Sequence, residues 1–119
     1  MGLSILFEYC VDLGLDCLFV LSKTQDAIKI GQRGKSLTEF RDPTGVLVDD
    51  VGNMIVVDSR NHRLQIFNSQ LSSIGVLKSS TAFARPTRVY IDTKNEEVFV
   101  SNKGTGAVVK FRIRRIPTI

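Results

Sequence analysis

Apolar and polar residues alternate in short runs along the middle of the chain, and polar turns separate these runs. The stretch "DPTGVLVDDVGNMIVVDSRNHRLQIFN", residues 42–68, holds three such runs, which are rich in valine and isoleucine. Alternation with a period of two and β-branched residues is typical of strands, and no run shows the 3.6-residue spacing of a helix. The pattern predicts strands at residues 45–48, 54–57, 63–67 and 72–77, separated by turns rich in Asp, Asn and Gly.

The same pattern returns about forty residues later. Pairs of equivalent positions 43 residues apart are Asp49 and Asp92, Val57 and Val100, and Pro43 and Pro86. Phe67 and Phe111 are 44 apart, which places one extra residue near "SNKGTG". A weaker copy in "VDLGLDCLFVLSKTQDAIKI" aligns Asp12 with Asp49 and Ile30 with Phe67 at a spacing of 37. This period is typical of four-stranded propeller blades or of helical repeats, and the strand pattern favours blades.

The repeats predict an all-β fold: a partial β-propeller of four-stranded antiparallel blades, with under three blades in the chain. The predicted segments are a partial blade at residues 1–30, a full blade at 31–77, a second blade at 78–113 and a C-terminal tail at 114–119. Unclosed blades leave strand edges and the hub open. We therefore expect either the remaining propeller blades in cis, within a longer protein, or self-association.

Ten residues at fixed places in the two clearer copies resemble the signature of the NHL repeat. They are Pro43, Gly45, Asp49, Gly52, Asp58, Asn61, Arg63 and Phe67 in one copy and Pro86 and Asp92 in the next. Their spacing is similar to that in the NHL region of tripartite-motif (TRIM-NHL) proteins. The resemblance implies a propeller that is usually six-bladed, of which this chain is a fragment. It also implies two function classes, ubiquitin-ligase adaptors and RNA-binding translational repressors.

The composition is that of an ordinary globular domain with a mild basic excess. The 119 residues carry a formal net charge of +4, and 43% of them are hydrophobic. The two cysteines, Cys10 and Cys17, match no zinc spacing, and with His62 they are too few for a RING or B-box domain. We expect no metal and no cofactor. Acidic residues interrupt the apolar N-terminus, so we expect neither a signal peptide nor a membrane helix, and a cytoplasmic location.

The charges sort by their place in the predicted blades. In an antiparallel meander, the loops that follow the second and fourth strands lie at one end, and the other turns lie at the opposite end. The first end carries a predicted basic face of Lys23, Arg33, Lys35, Arg41, Arg60, His62, Lys78, Arg85 and Lys103. The opposite end carries Asp12, Asp16, Asp49, Asp50, Asp92, Glu96 and Glu97. A basic face attracts RNA phosphates. The alternative is that the cations only keep the loops soluble.

These observations favour a non-catalytic recognition scaffold that binds RNA or a protein partner on the basic face, with no membrane partner and no small-molecule substrate. The second candidate is a protein-interaction or substrate-recognition module of a ubiquitin ligase whose RING and B-box domains are absent here. We expect no catalytic residue: Asp58 and His62 have the spacing of a dyad, but an Asp in a loop usually accepts hydrogen bonds from backbone amides. Ser59 has no nucleophile elbow around it.

Overall fold

A computed structural model of the chain describes residues 8–12, 16–21, 26–78 and 83–112, and every regular element in them is a β-strand except one short 3₁₀ turn, Ser59–Asn61. The strands are β1 Glu8–Asp12, β2 Cys17–Leu21, β3 Ala27–Ile30, β4 Pro43–Val48, β5 Met54–Asp58, β6 Arg63–Phe67, β7 Ser73–Lys78, β8 Pro86–Asp92, β9 Glu97–Asn102 and β10 Val108–Arg112. The predicted all-β fold is confirmed. No helix in these ranges is long and apolar enough to cross a membrane.

The strands form three antiparallel meanders. The central sheet has four strands in the order β4-β5-β6-β7, and the flanking sheets have three each, β1-β2-β3 and β8-β9-β10. In the central sheet, β6 has the predicted bounds, whereas the other strands extend or shift by one or two residues at their ends. Such small differences are normal at strand ends, where the ladder frays.

The three sheets stack face to face, and β5 is buried on both of its faces. Met54 and Val56 point into one core layer, which they share with Leu18 and Val20 of β2. The alternate residues Ile55 and Val57 point into a second layer, which they share with Val98 and Val100 of β9. Burial of each such side chain contributes about 1.5–3 kcal/mol, so these two layers hold the sheets together.

The extra residue of the third sheet lies in the turn between β8 and β9, and not near "SNKGTG" as predicted. Val46 pairs with Val56 in the central sheet, and Val89 pairs with Val100 in the third. Val100 is therefore the equivalent of Val56, 44 residues earlier, and not of Val57. Burial agrees, because Val56 and Val100 both face the preceding sheet. The turn 92–97 is one residue longer than the turn 49–53.

The first sheet corresponds to strands two to four of a blade, which overturns the alignment of Asp12 with Asp49. Glu8 pairs with Leu21 and Asp12 with Cys17, in the same register as Met54 with Phe67 and Asp58 with Arg63. The spacing between equivalents is thus 46 residues, and β1 is the counterpart of β5. The prediction was wrong because Asp-rich loops at the two ends of a blade look alike in sequence.

Candidate nucleic-acid interface

The loops and connections predicted to share one end of the blades do meet there in the described residues. The N–H of Arg60 donates to the carbonyl of Arg41 at 3.1 Å, and the N–H of Lys103 donates to the carbonyl of Arg85 at 3.0 Å. Loops 58–62 and 102–107 therefore contact the connections 31–42 and 83–85. We call this end of the sheets the junction face.

Asp58 is the centre of the hydrogen-bond network under the junction face. Its carboxylate is fully buried. It accepts hydrogen bonds from the Arg41 N–H at 2.7 Å, from Arg63 Nε at 2.7 Å, from Asn61 Nδ2 at 2.9 Å and from Gln65 Nε2 at 3.1 Å. Three of these bonds go to Oδ2, and the bond from the Arg41 N–H goes to Oδ1. Asp58 therefore ties the loop 58–62 to β6 and to the connection that precedes β4.

Arg63 and Gln65 continue this network into the connection that precedes β4. Arg63 Nη2 donates to the carbonyls of Ser36 and Glu39, each at 2.9 Å. Gln65 Nε2 donates to the Glu39 carbonyl at 2.6 Å, while Gln65 Oε1 accepts from the Thr38 N–H at 3.0 Å. Irregular backbone needs such partners because it lacks those of a sheet ladder. The network thus holds the connection, and its cations, against the central sheet.

The two junctions between sheets use the same hydrogen bond with different side chains. At the second junction, the N–H of Arg85 donates to Nδ1 of His62 at 2.9 Å. At the first junction, the N–H of Asp42 donates to Oδ1 of Asp16 at 2.9 Å. Each acceptor has a left-handed backbone, with φ of 54° at His62 and 49° at Asp16. Asp16 is therefore the counterpart of His62.

Asp16 accordingly lies on the junction face, whereas the sequence prediction placed it at the acidic end. It is buried, and its Oδ2 accepts a hydrogen bond from Arg33 Nε at 2.6 Å. Burial alone would raise the pKa of the Asp16 carboxyl. The hydrogen bonds from Arg33 and from the Asp42 N–H outweigh that effect, so the pKa lies below its ordinary value.

The structure brings most of the predicted basic residues together on the junction face. An open concavity of about 490 Å³ is lined by Lys35, Arg41, Arg60, Asn61, His62, Lys78 and Phe83. A neighbouring one of about 290 Å³ is lined by Arg41, Arg60, His62 and Arg85. Lys103 meets Arg85 through its backbone and lines neither concavity. Lys23 lies outside the described residues.

Carboxylates neutralise only part of this positive charge. Arg33 pairs with Asp16, and the Asp42 carboxylate lies 3.5 Å from Arg60 Nε and 3.9 Å from Arg85 Nη2. Within the described ranges, the side chains of Lys35, Arg41 and Lys78 take part in no ion pair. A concavity lined by unpaired cations and facing water concentrates anions.

At the opposite end of the sheets, two of the acidic side chains serve their own turns. Asp49 Oδ1 accepts from the N–H groups of Val51 at 3.0 Å and Asn53 at 2.8 Å. Asp92 accepts from the side chain of Asn95 at 2.9 Å, and this bond, followed by those from backbone N–H groups, holds the pKa of Asp92 below its ordinary value. These turns are built by side-chain hydrogen bonds of the kind that Asp commonly makes.

Residues 40–67, which include the Asp58 network, match the family model of the NHL repeat. The chain contains an NHL repeat. Over 42 residues, 35% of the chain, it is 38% identical to the B-box type zinc finger protein ncl-1 of Caenorhabditis elegans. Over 81 residues, 63% of the chain, it is 30% identical to the protein brain tumor of Drosophila melanogaster. Both relatives are TRIM-NHL proteins, and the chain spans 5% and 8% of their respective lengths.

Two solved structures share the fold. One is a catalytically inactive virginiamycin B lyase from Staphylococcus aureus, with a TM-score of 0.63 and 9% identity over 92% of this chain. The other is a streptogramin B lyase, with a TM-score of 0.62 and 11% identity over 95% of this chain. The chain covers 39% of each of them. At such identities the likeness shows the β-propeller architecture alone.

The remaining signature residues of the NHL repeat and of the sheet that follows it have packing or turn positions. Phe67 is buried, with its ring centroid 6.2 Å from that of Phe40. Gly52 has φ of 89°, which favours glycine, and Pro43 and Pro86 are buried at the starts of β4 and β8. Within the described ranges, no group of three or more His, Cys, Asp or Glu residues is placed to hold a metal ion.

Sequence reasoning missed three contributors to the junction face of the NHL repeat and its neighbours. Asp16 was assigned to the other end, although its spacing of four from Asp12 matches that of His62 from Asp58. The predicted offset of 43 aligns Ser101 with Asp58, whereas the counterpart of Asp58 is Asn102: its Oδ1 accepts from the Ala84 N–H at 3.3 Å, as Asp58 does from the Arg41 N–H. Phe83 is buried beside the cations, and the sequence signal for it is its offset of 43 from the buried Phe40, which equals the offset between Pro43 and Pro86.

Proposed function

We propose that this chain is part of a non-catalytic recognition scaffold that binds RNA, in single-stranded or hairpin form, on the junction face. One observation carries the proposal: Lys35, Arg41 and Lys78 line one open concavity and form no ion pair in the described part of the chain. A cation held in a short, hydrogen-bonded ion pair gains less from a phosphate than an unpaired cation does, and each cation that neutralises a phosphate releases counterions from RNA.

The exposed ring of His62 and the rigid connections give this surface more than charge. His62 lines the same concavity, and its imidazole can stack on an unpaired base, as aromatic side chains do in single-strand binding sites. The Asp58 network fixes the backbone on which the cations stand. A pre-ordered surface loses less conformational entropy when it binds than a flexible loop does.

The test compares two triple variants of the full-length protein in a salt series with a fluorescein-labelled single-stranded RNA and a labelled RNA hairpin. Lys35→Glu/Arg41→Glu/Lys78→Glu removes the unpaired cations. Lys29→Glu/Lys94→Glu/Arg112→Glu makes the same change of net charge at exposed sites away from the concavity. We expect the first variant to lose most of the affinity and to reduce the salt slope by about 0.7 per lost phosphate contact on single strands.

Equal losses in the two variants would mean that only net charge matters, and a salt-independent affinity would remove the phosphate contacts from the proposal. Either result would overturn RNA binding at this face. Because the three side chains are exposed, on a connection and at the end of β7, these changes leave the core layers intact, and a circular dichroism melt checks this.

The second candidate is a protein-recognition module of a ubiquitin ligase whose zinc-binding domains lie outside these residues. The name of the relative ncl-1, a B-box type zinc finger protein, supports this reading. Affinity purification of the full-length protein, with and without ribonuclease, separates the two: protein partners that persist after ribonuclease and depend on the junction face favour the second candidate. A cytoplasmic location goes with either function and stays a prediction.

A further inference from the structure

The smaller concavity lies at the junction between the central and third sheets and differs from the first junction in charge. It is lined by Arg41, Arg60, His62 and Arg85, and no carboxylate is among its lining residues. The concavity at the first junction is lined by Asp16, Arg33, Arg41, Asp42 and Arg60. The second junction thus has the imidazole of His62 where the first has the carboxylate of Asp16, and the guanidinium of Arg85 where the first has the carboxylate of Asp42. One architecture therefore presents an acidic pair at one junction and a basic pair at the next.

The hydrogen bond that closes the second junction also orients the imidazole of His62 as a donor. Because Nδ1 accepts the N–H of Arg85, the proton of the neutral ring must be on Nε2. The side chain is exposed and lines the concavity, so Nε2–H is available to an oxyanion. An aspartate in this position, as at Asp16, repels the same ligand.

The guanidinium groups around this concavity keep unused hydrogen-bonding capacity. Arg85 Nε is buried and makes no hydrogen bond with the residues that the structure describes. Arg60 and Arg85 share one carboxylate, Asp42, at distances of 3.5 and 3.9 Å, which are too long for strong hydrogen bonds. Planar guanidinium groups bind phosphate through two parallel N–H bonds, a geometry that suits a site where several of them converge.

We propose that this second-junction concavity binds one phosphate group, with Arg41, Arg60 and Arg85 as cationic ligands and His62 Nε2–H as a neutral donor. The source of the phosphate is the backbone of bound RNA, and this part rests on the proposed function. The first junction does not share the property, because its equivalent positions carry carboxylates. At the two described junctions, the charge of the concavity is therefore set by two residues, the acceptor in the loop and the residue that precedes the proline.

The test uses a variant that copies one junction onto the other. His62→Asp/Arg85→Asp gives the second junction the residue pair that the first junction already tolerates, Asp16 with Asp42, including the positive φ shared by Asp42 and Arg85. Thr93→Asp/Lys94→Asp changes the charge by the same amount in the exposed turn at the opposite end. Each protein is titrated with inorganic phosphate at constant ionic strength, observed by ³¹P line broadening, and then with labelled single-stranded RNA.

We expect saturable phosphate binding by the wild type and the turn variant, and its loss in the junction variant. For RNA, losing one charge-assisted contact corresponds to about a 10-fold to 100-fold drop in affinity. Saturable phosphate binding without RNA binding would support the phosphate site, but it would reject RNA as the source of the phosphate and with it the proposed function. RNA affinity that is equal in all three proteins would reject the site while the proposed function stands. Phosphate broadening that does not saturate, or that survives in the junction variant, would overturn the site.

Discussion

The backbone N–H of Arg85 donates a 2.9 Å hydrogen bond to Nδ1 of His62, 23 residues earlier in the chain, and this bond links the central sheet to the third. The bond between the Asp42 N–H and Asp16 links the first sheet to the central one in the same way. A loop residue with a left-handed backbone and an accepting side chain is therefore the common element of both junctions.

This equivalence predicts the order in which substitutions at His62 lower the free energy of unfolding. We expect His62→Asp to leave the free energy of unfolding within about 0.5 kcal/mol of the wild type, because Asp keeps an acceptor and tolerates a positive φ. His62→Ala loses the acceptor and keeps the left-handed strain, so we expect a loss of about 1–2 kcal/mol. His62→Gly, the residue found at the equivalent Gly106 with φ of 68°, separates the two effects and should lie between them. Urea unfolding measures all three, and an Ala variant as stable as the Asp variant would contradict the junction bond.

We expect substitution of Asp58 to lower the stability strongly and a second substitution, at Arg63, to restore part of the loss. Asp58→Ala leaves the guanidinium of Arg63, whose side chain is 8% exposed, without its carboxylate at 2.7 Å. Breaking a buried ion pair from one side costs about 3–5 kcal/mol. Adding Arg63→Met removes the uncompensated charge, so the double variant should be more stable than Asp58→Ala alone. A double-mutant cycle in urea checks this, and strictly additive losses would show that the two side chains do not act as a pair.

The lowered pKa of Asp16 predicts a contribution to stability that depends on pH. A folded-state pKa below the unfolded value of about 3.9 means that the charged form stabilises the fold. That contribution is complete above the unfolded pKa and is lost as the pH falls through the folded one. The difference in unfolding free energy between the wild type and Asp16→Asn should therefore shrink below about pH 4. A difference that stays constant from pH 7 to pH 2, or that grows on acidification, would be inconsistent with the bond from Arg33.

The location of the extra residue predicts which deletion the third sheet tolerates. Deleting Lys94 together with Glu96→Gly gives the turn between β8 and β9 the length and the glycine position of residues 49–53. We expect a change of about 1 kcal/mol or less, because the strands keep their register. Deleting Gly104 instead removes an N–H that donates to the Ala84 carbonyl at 2.9 Å, and we expect a loss of about 2 kcal/mol or more. Thermal and urea unfolding rank the two variants, and the reverse order would return the extra residue to the loop 102–107.

The strands of the central and third sheets, their antiparallel order and a repeat of about forty residues follow from the sequence alone. Alternation at Val46, Val48, Ile55 and Val57 is local, because successive side chains of a strand point to opposite faces whatever lies beyond them. The signature from Pro43 to Phe67 identified the NHL repeat for the same reason: Asp58, Asn61 and Arg63 lie within six residues and interact with one another in the fold. The sorting of most loop cations onto one end also required only the antiparallel order of the strands.

Only the tertiary structure decided the register between repeats, the side on which Asp16 lies and the cations that remain unpaired. Register depends on backbone hydrogen bonds between strands that are distant in sequence, and Asp-rich turns at either end of a blade carry the same local signal. Pairing depends on distances between separate loops: Asp16 reaches Arg33 and Asp42 reaches Arg60, whereas Arg41 is left open between them. The positive charge that a ligand meets on this face is the part that these ion pairs leave unneutralised, whereas the sequence alone gives only the net charge.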